Sequence, residues 1–273
     1  MGARLLNRAN RRVSLTVAGE VMLEEARRIL STVDRARDRM QDVVQGAVGR
    51  IRLGATPTPG LYLLPPLLAA YRDANPTFDL QLEIGPVHRI AERVARNELD
   101  MAVVSSPPPT AELRARSLVT DPMLIVAPPA HPLASARIVK PSQLDRETWI
   151  VREDASETMR TLVSWWRKNR LQAARRMEFD GPEAVKRAVR AHLGIAMASR
   201  FAVRDELESG ALSALRVQGP LPSRSVAVVD HPQKHHGAAC RAMLAMFDRT
   251  FSAAGDMKHQ PTRAAARVMA PEK

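Results

Sequence analysis

A long helical pattern stands near the start of the chain. Thr16 is a good N-cap, and apolar residues recur every three or four positions from Val17 to about Gln45, with Gly46 as a stop. Seven of them follow a 4-3-4-3-4-3 spacing, the heptad pattern of a coiled-coil seam. These seven residues are Met22, Ala26, Ile29, Val33, Ala36, Met40 and Val43.

The flanks of this seam carry mixed charges, so the apolar stripe is narrow. A long helix of this kind normally pairs with a second helix, and we therefore predict a linker and dimerisation helix over residues 17–46. In the alternative, the stripe packs against the body of its own chain. The alanines and methionines of the seam leave that alternative open, because each is a weak contact by itself.

Strand and helix patterns alternate after Gly49. The first set has strands at 50–55, 78–85 and 100–104 and helices at 61–76 and 87–99. The second has strands at 122–128, 148–153, 175–180 and 194–199, helices at 156–170, 182–192 and 200–209, a late strand at 225–232 and a last helix at 237–251. Such alternation predicts an α/β fold with parallel sheets and right-handed crossovers.

The restart of the pattern near residue 122 divides the fold into two lobes. We predict that residues 47–126 and 231–255 form lobe I and that residues 127–230 form lobe II, followed by a disordered tail at 256–273. The chain would cross between the lobes twice, near 121–130 and 225–233. Two crossings make a hinge, and ligands of open α/β sheets bind beyond the carboxyl ends of the strands.

Hydroxyl side chains follow the strands at this predicted edge. Thr56 and Thr58 lie between the first strand and a helix, where hydroxyls and free backbone N–H groups favour a small anion. The alternative is a threonine that caps its own helix. Ser105 and Ser106 end the third strand, either as ligand contacts or as an ordinary serine turn. Arg152 either binds an anion or pairs with a neighbouring acid, Glu153 or Asp154.

Composition restricts the function classes. The net charge of +12 indicates a polyanionic partner, although a solvated basic surface explains it equally well. The single Cys240 excludes an intramolecular disulfide and fits a reducing compartment, so we expect a cytoplasmic protein. The longest apolar stretch, residues 61–71, is too short to span a bilayer, and no membrane contact is expected.

No residue set for catalysis or for a metal stands out. His231, His235, His236 and Cys240 lie close together, but they open a predicted helix and lack the closed geometry of a zinc site. No nucleophile–base pair and no phosphate-binding glycine loop is visible. We therefore predict neither an enzyme nor a bound metal or cofactor. Trp165 and Trp166 lie among basic residues, and we expect one to pack and the other to reach the surface.

Five segments in this order carry a family resemblance: "GARLLNRANRRVSLTVAGEVMLEEARRIL", "GRIRLGATPTPGLYLLPPLLAAYRDANP", "ELDMAVV", "LIVAPPAHPLA" and "AVRAHLGIAMAS". Together they resemble a LysR-type transcriptional regulator over residues 2 to about 252. The resemblance implies a winged helix-turn-helix, a dimerising linker helix and a two-lobed effector domain like a type 2 periplasmic binding protein.

Within this resemblance, residues 1–16 correspond to the end of the wing. Arg8, Arg11 and Arg12 resemble wing residues that contact the DNA backbone. The recognition helix has no counterpart in the sequence, so we expect a shortened N-terminus or a misplaced start. The resemblance also implies that Thr56 and Thr58 line the effector cleft and that Ser199 faces it.

The expected function is therefore a regulator controlled by a small molecule. A small effector, anionic by the chemistry of the cleft, would bridge the lobes and change the geometry of a homodimer or homotetramer on DNA. One alternative is a solute-binding protein of the same two-lobed architecture. The other is an enzyme that uses the cleft between the lobes.

Overall fold

The computed structural model describes residues 3–9, 12–45, 50–107, 112–234 and 236–255. Its N-terminal part is a hairpin of β1 (Leu6–Ala9) and β2 (Arg12–Leu15), followed by α1 (Val17–Gln45). The Thr16 hydroxyl accepts a hydrogen bond from the Gly19 amide at 3.0 Å and donates one to the Arg4 carbonyl at 2.6 Å. The predicted helix and its N-cap are therefore confirmed.

Most of the α1 seam faces solvent. Met22, Ile29, Val33 and Met40 are 46%, 62%, 48% and 65% exposed, and Ala36 is exposed as well. Ala26 is only partly buried, and the side chain of Val43 lies outside the described residues. The alternative required the body of the chain to cover this seam. The described part of the seam is not covered in this way.

The first lobe begins with the predicted alternation of strand and helix. It comprises β3 (Arg50–Ala55), a π-helical turn (Pro59–Leu63) that continues into α2 (Leu64–Ala74), β4 (Asp79–Ile84), α3 (Val87–Ala95) and β5 (Met101–Ser105). β3 lies between β4 and β5 and is parallel to both, as predicted. Pro65 and Pro66 occupy the first turn of α2, where no intrahelical amide donor is needed.

β6 (Arg114–Ala127) leads from the first lobe into the second. The second lobe contains α4 (Pro141–Leu144), β7 (Thr148–Arg152), α5 (Glu157–Asn169), β8 (Arg175–Phe179), α6 (Pro182–Arg190), β9 (Ala196–Ser199), α7 (Arg204–Glu208) and β10 (Ser213–Ala214). β7 and β8 are parallel, whereas β9 and β10 run antiparallel to the end of β6. The segment before Pro122, which had no predicted element, is the first half of β6.

The last strand corrects the predicted lobe boundary. β11 (Ser223–Asp230) pairs with β5, where Val226 lies opposite Ser105, and with the first half of β6. It therefore belongs to the first lobe, together with the final helix α8 (Ala238–Gly255). The boundaries fall after Pro122 and before Ser223, rather than at 126–127 and 230–231. An apolar strand pattern does not say which sheet the strand joins.

Aliphatic and aromatic side chains together fill the core of each lobe. In the first, α2 and α8 cover one face of the sheet and α3 covers the other. In the second, Trp149 packs against Trp165 and Trp166, whose ring centroids lie 6.4 and 5.2 Å away. Both of these tryptophans are 5% exposed, so the expectation that one reaches the surface is wrong. No helix in the described ranges is long and apolar enough to cross a membrane.

Candidate functional site

A cavity of about 440 Å³ lies between the two lobes. The ends of β3 and β5 border it from the first lobe, and the loops after β7 and β8 border it from the second. Four of the predicted ligand residues line it, namely Thr56, Thr58, Ser105 and Arg152. The prediction that these strand ends meet at one edge is therefore consistent with the structure.

Thr56 and Ser105 form the floor of the cavity on the side of the first lobe. The Thr56 hydroxyl accepts a hydrogen bond from the Ser105 amide at 2.9 Å, which joins the ends of β3 and β5. The Ser105 hydroxyl is buried and has no hydrogen-bond partner among the described residues. An unpaired buried hydroxyl costs free energy, so its position in a cavity wall indicates a partner that binds there.

Arg224 joins the two lobes behind the cavity. It is the second residue of β11, is 5% exposed and pairs with the fully buried Asp121 at 2.6 Å. Its guanidinium also donates to Thr58 in the first lobe at 3.3 Å and to Thr158 in the second at 3.1 Å. The Thr58 hydroxyl caps no helix and accepts from Arg224 instead.

The two remaining serines do not line the cavity. Ser199 donates its hydroxyl to Asp121 at 2.7 Å and accepts from the Phe201 amide at 3.1 Å. Ser199 was expected to face the cleft. It belongs instead to the hydrogen-bond network of Asp121 at the hinge. Ser106 adopts a left-handed conformation with φ of 53°, and its amide donates to the Ser225 carbonyl at 2.8 Å.

Arg152 pairs with its neighbour Glu153, which is one of the two roles that the sequence analysis offered for it. Its guanidinium donates two hydrogen bonds to Glu153, one of them at 2.7 Å to Oε2. Burial opposes ionisation of Glu153, but the hydrogen bond and charge of Arg152 outweigh it and lower the pKa of this carboxyl below its usual value. Arg152 still borders the cavity, but its charge is already balanced.

Helix starts surround the cavity. The helices α3, α5 and α6 begin at lining residues, and the π-helical turn before α2 begins directly after the lining residue Thr58. In three of them, after Thr58, Pro86 and Gly181, no side chain caps the first turn. Helix N-termini carry partial positive charge and free N–H groups, which favours an anion. Glu157 and Asp180 also line the cavity and oppose a high negative charge there.

Sequence reasoning missed three residues of the site, namely Asp121, Thr158 and Arg224. An aspartate directly before the apolar run at 122–127 was the one available signal for Asp121, because a charge buried there needs a partner. Arg224 stands 103 residues further along the chain. Its role follows from the strand pairing of β6 with β11, which the apolar pattern does not specify.

The histidines near Cys240, which the sequence analysis considered as metal ligands, make other contacts. His236 Nε2 lies 2.6 Å from Asp230, which also pairs with Arg114. Cys240 is buried in the core of the first lobe, and His235 lies outside the described residues. Within the described ranges, no group of three or more His, Cys, Asp or Glu side chains could hold a metal ion.

The basic N-terminal arm forms a hairpin, as a wing would. Arg8 lies on β1 opposite Val13, and Arg12 lies on β2 opposite Ala9. Arg11 lies outside the described residues, and the side chains of Arg8 and Arg12 are not described either. Their contact with a DNA backbone stays a prediction.

Two lobes that share a hinge and enclose a cavity, preceded in the chain by a long helix with an exposed apolar seam, suit a ligand-responsive regulatory module. The family description "LysR substrate binding domain" matches residues 45–252. The HTH-type transcriptional activator CmpR of Synechocystis is 32% identical over 219 residues, which are 80% of this chain and 72% of CmpR. The chain therefore belongs to the LysR-type transcriptional regulators, and the solute-binding alternative is not favoured.

Solved structures show the same fold. The regulatory domain of Synechocystis CcmR in complex with 2-PG superposes with a TM-score of 0.68 at 24% identity, covering 74% of this chain and 97% of that one. Full-length OxyR from Pseudomonas aeruginosa superposes with a TM-score of 0.68 at 20% identity, covering 90% and 80%. The two-lobed effector-domain fold predicted from the sequence is thus confirmed.

Proposed function

We propose that the cleft between the lobes binds a small anionic effector and that this binding controls the regulator. The observation that carries the proposal is the buried Ser105 hydroxyl, which has no partner among the described residues and lies in the cavity wall. A ligand oxygen at this position would satisfy it. The uncapped helix starts around the cavity would then stabilise the negative charge of the ligand.

The ligand is expected to carry a modest charge. Arg152 and Arg224 are both paired with acids already, so hydroxyls and backbone amides have to hold the anion. CcmR is similar in fold and was solved with 2-PG, which makes 2-PG a suitable first probe. We propose that the protein binds its effector without covalent chemistry and without a resident cofactor or metal.

Closure of the lobes is the proposed link from effector to DNA. A ligand that contacts Thr58 in one lobe and Thr158 in the other favours one relative arrangement of the lobes. In a homodimer or homotetramer held by α1, this arrangement sets the spacing of the DNA-binding parts. We propose a cytoplasmic location, since the partner is DNA and the lone Cys240 fits a reducing compartment.

Isothermal titration calorimetry with 2-PG and a panel of small carboxylates tests the cleft. We expect Ser105→Ala to weaken the binding of any ligand found by roughly tenfold, the effect of one lost hydrogen bond to a charged group. Ser117→Ala is the matched control, because Ser117 is a hydroxyl of the same lobe that pairs with Ser225 on the surface. Equal affinities of both variants and the parent would contradict the proposal.

Analytical ultracentrifugation tests the dimer helix. Ile29→Glu places a charge on the exposed seam of α1 and should raise the dissociation constant of the dimer at least about tenfold. Val17→Glu is the control, because Val17 is 80% exposed and stands outside the heptad positions. A monomeric parent protein, or equal effects of both substitutions, would exclude this role for α1.

A further inference from the structure

A second contact between the lobes lies beside the cleft. Tyr62 belongs to the π-helical turn of the first lobe, one turn beyond Thr58. Its hydroxyl donates a hydrogen bond to Glu183, near the start of α6 in the second lobe. Their neighbours Leu61 and Pro182 line the cavity, so this hydrogen bond crosses from one wall to the other.

Lys186 reinforces the same contact from the second lobe. Its ammonium lies 4.8 Å from the centre of the Tyr62 ring, within the range of a cation–π interaction. It also pairs with Glu183 at 2.8 Å and with Glu206 at 2.9 Å, and it is 6% exposed. The Lys186 ammonium is thus fixed by two carboxylates and presents its charge to a ring of the other lobe.

The protonation states of these groups suit a hydrogen bond at neutral pH. Burial and the hydrogen bond to Glu183 raise the pKa of Tyr62 well above its usual value, so the phenol keeps its proton. Burial opposes ionisation of Glu183, but hydrogen bonds from Lys186 and Tyr62 outweigh it and lower its pKa. The donor therefore remains a phenol, and the acceptor remains a carboxylate.

We propose that Tyr62, Glu183 and Lys186 form a clasp that holds the two lobes closed in the ligand-free protein. The clasp acts on the closure equilibrium directly, whereas Ser105 acts on it only through a bound ligand. A ligand that requires closed lobes is then bound more tightly by the factor by which the clasp favours closure. Tyr62 is accordingly a positioning residue for the site and not a contact of the ligand.

Distance measurements between spin labels test the clasp in the absence of ligand. His88 on α3 and Arg190 on α6 are exposed and belong to different lobes, so His88→Cys and Arg190→Cys supply the label sites. Cys240 is buried and should stay unlabelled. We expect the parent to show mainly the short, closed distance. Tyr62→Phe should lower the ratio of closed to open protein about two- to tenfold, the worth of one hydrogen bond.

The other tyrosine of the chain provides the control. Tyr71 donates to the Ala239 carbonyl at 2.8 Å within the first lobe, so Tyr71→Phe removes a hydroxyl without touching the cleft. Lys186→Met should open the lobes as Tyr62→Phe does. Distance distributions that are the same in the parent, Tyr62→Phe and Lys186→Met would overturn the clasp. This result would not bear on the proposed ligand site, because the measurement is made without a ligand.

Discussion

The two connections between the lobes are built from similar groups but differ in burial. At the hinge, Asp121 and Arg224 are 0% and 5% exposed, and each of their hydrogen bonds lies away from water. In the clasp, Lys186 is 6% exposed, but the Glu183 side chain that accepts from Tyr62 is 52% exposed, and the Tyr62 ring is only partly covered. An unpaired charge is costly only where water cannot replace the partner. The hinge network is therefore structural, whereas the clasp is adjustable.

The largest effect is expected from breaking the hinge pair. Asp121→Ala leaves the Arg224 guanidinium buried without its carboxylate, and the free energy of unfolding should fall by about 3–5 kcal/mol. Urea unfolding followed by circular dichroism measures it. Asp205→Ala is the control, because Asp205 is 82% exposed in its ion pair and its loss should change little. A small loss for Asp121→Ala would show that the hinge network tolerates rearrangement.

A smaller effect is expected at the neighbouring hydroxyl. Ser199→Ala removes a donor to Asp121 and an acceptor for the Phe201 amide. The carboxylate keeps Arg224, so the unfolding free energy should fall by only about 1–3 kcal/mol. Combining Ser199→Ala with Asp121→Ala in one chain checks the assignment. If their separate losses add fully, the two residues do not act through a common hydrogen bond.

The Arg114–Asp230 pair is an intermediate case, because the arginine side chain is 59% exposed and the aspartate is 7% exposed. Burial opposes ionisation of Asp230, but hydrogen bonds from His236 and Arg114 outweigh it and lower its pKa from 3.8 to about 2. A carboxyl with a lowered folded-state pKa stabilises the fold above its unfolded pKa. This stabilisation is lost as the pH falls from about 4 towards 2.

Asp230→Asn tests this pH dependence. The difference in unfolding free energy between parent and variant should be largest above about pH 5 and should shrink as the pH is lowered to about 3. Urea titrations at several pH values measure it, and the other acids contribute equally to both proteins. A difference that stays constant over this range would mean that Asp230 has an ordinary pKa in the folded chain.

The smallest loss of stability is expected at the clasp. Glu183→Gln keeps a hydrogen-bond acceptor for Tyr62 but removes the charge that faces Lys186. Because Glu183 is half exposed and Lys186 keeps Glu206, the unfolding free energy should fall by no more than about 1 kcal/mol. A loss as large as that of Asp121→Ala would remove the distinction between a structural hinge and an adjustable clasp.

Local sequence patterns predicted most helices and strands but not the partners across the cleft. The helix α1 follows from the spacing of its apolar residues, β3 from alternation and β5 from a short continuous apolar run, because burial on one face gives a period and burial on both faces gives a run. Thr56, Thr58 and Ser105 follow from the rule that strand ends gather at one edge. For Arg152, the sequence left two partners open, and the structure shows the pair with its neighbour Glu153.

The remaining parts depend on contacts between distant segments. Arg224 meets Asp121 across 103 residues, and Tyr62 meets Glu183 across 121. Neither pair has a spacing that a single sequence could reveal, since the first depends on the pairing of β6 with β11 and the second on how the lobes close. The place of β11 in the first lobe could not be predicted either, because its apolar pattern suits the sheet of either lobe.

The three tryptophans of the chain, Trp149, Trp165 and Trp166, all lie in the core of the second lobe. Tryptophan fluorescence, excited at a wavelength that tyrosine does not absorb, is therefore a signal of the second lobe alone. If the first lobe unfolds independently, the emission spectrum will not register it. Emission would then change at a different urea concentration from the signal of the whole backbone. Because all three tryptophans lie in one lobe, comparing the two unfolding curves shows whether the lobes unfold together, without an added label.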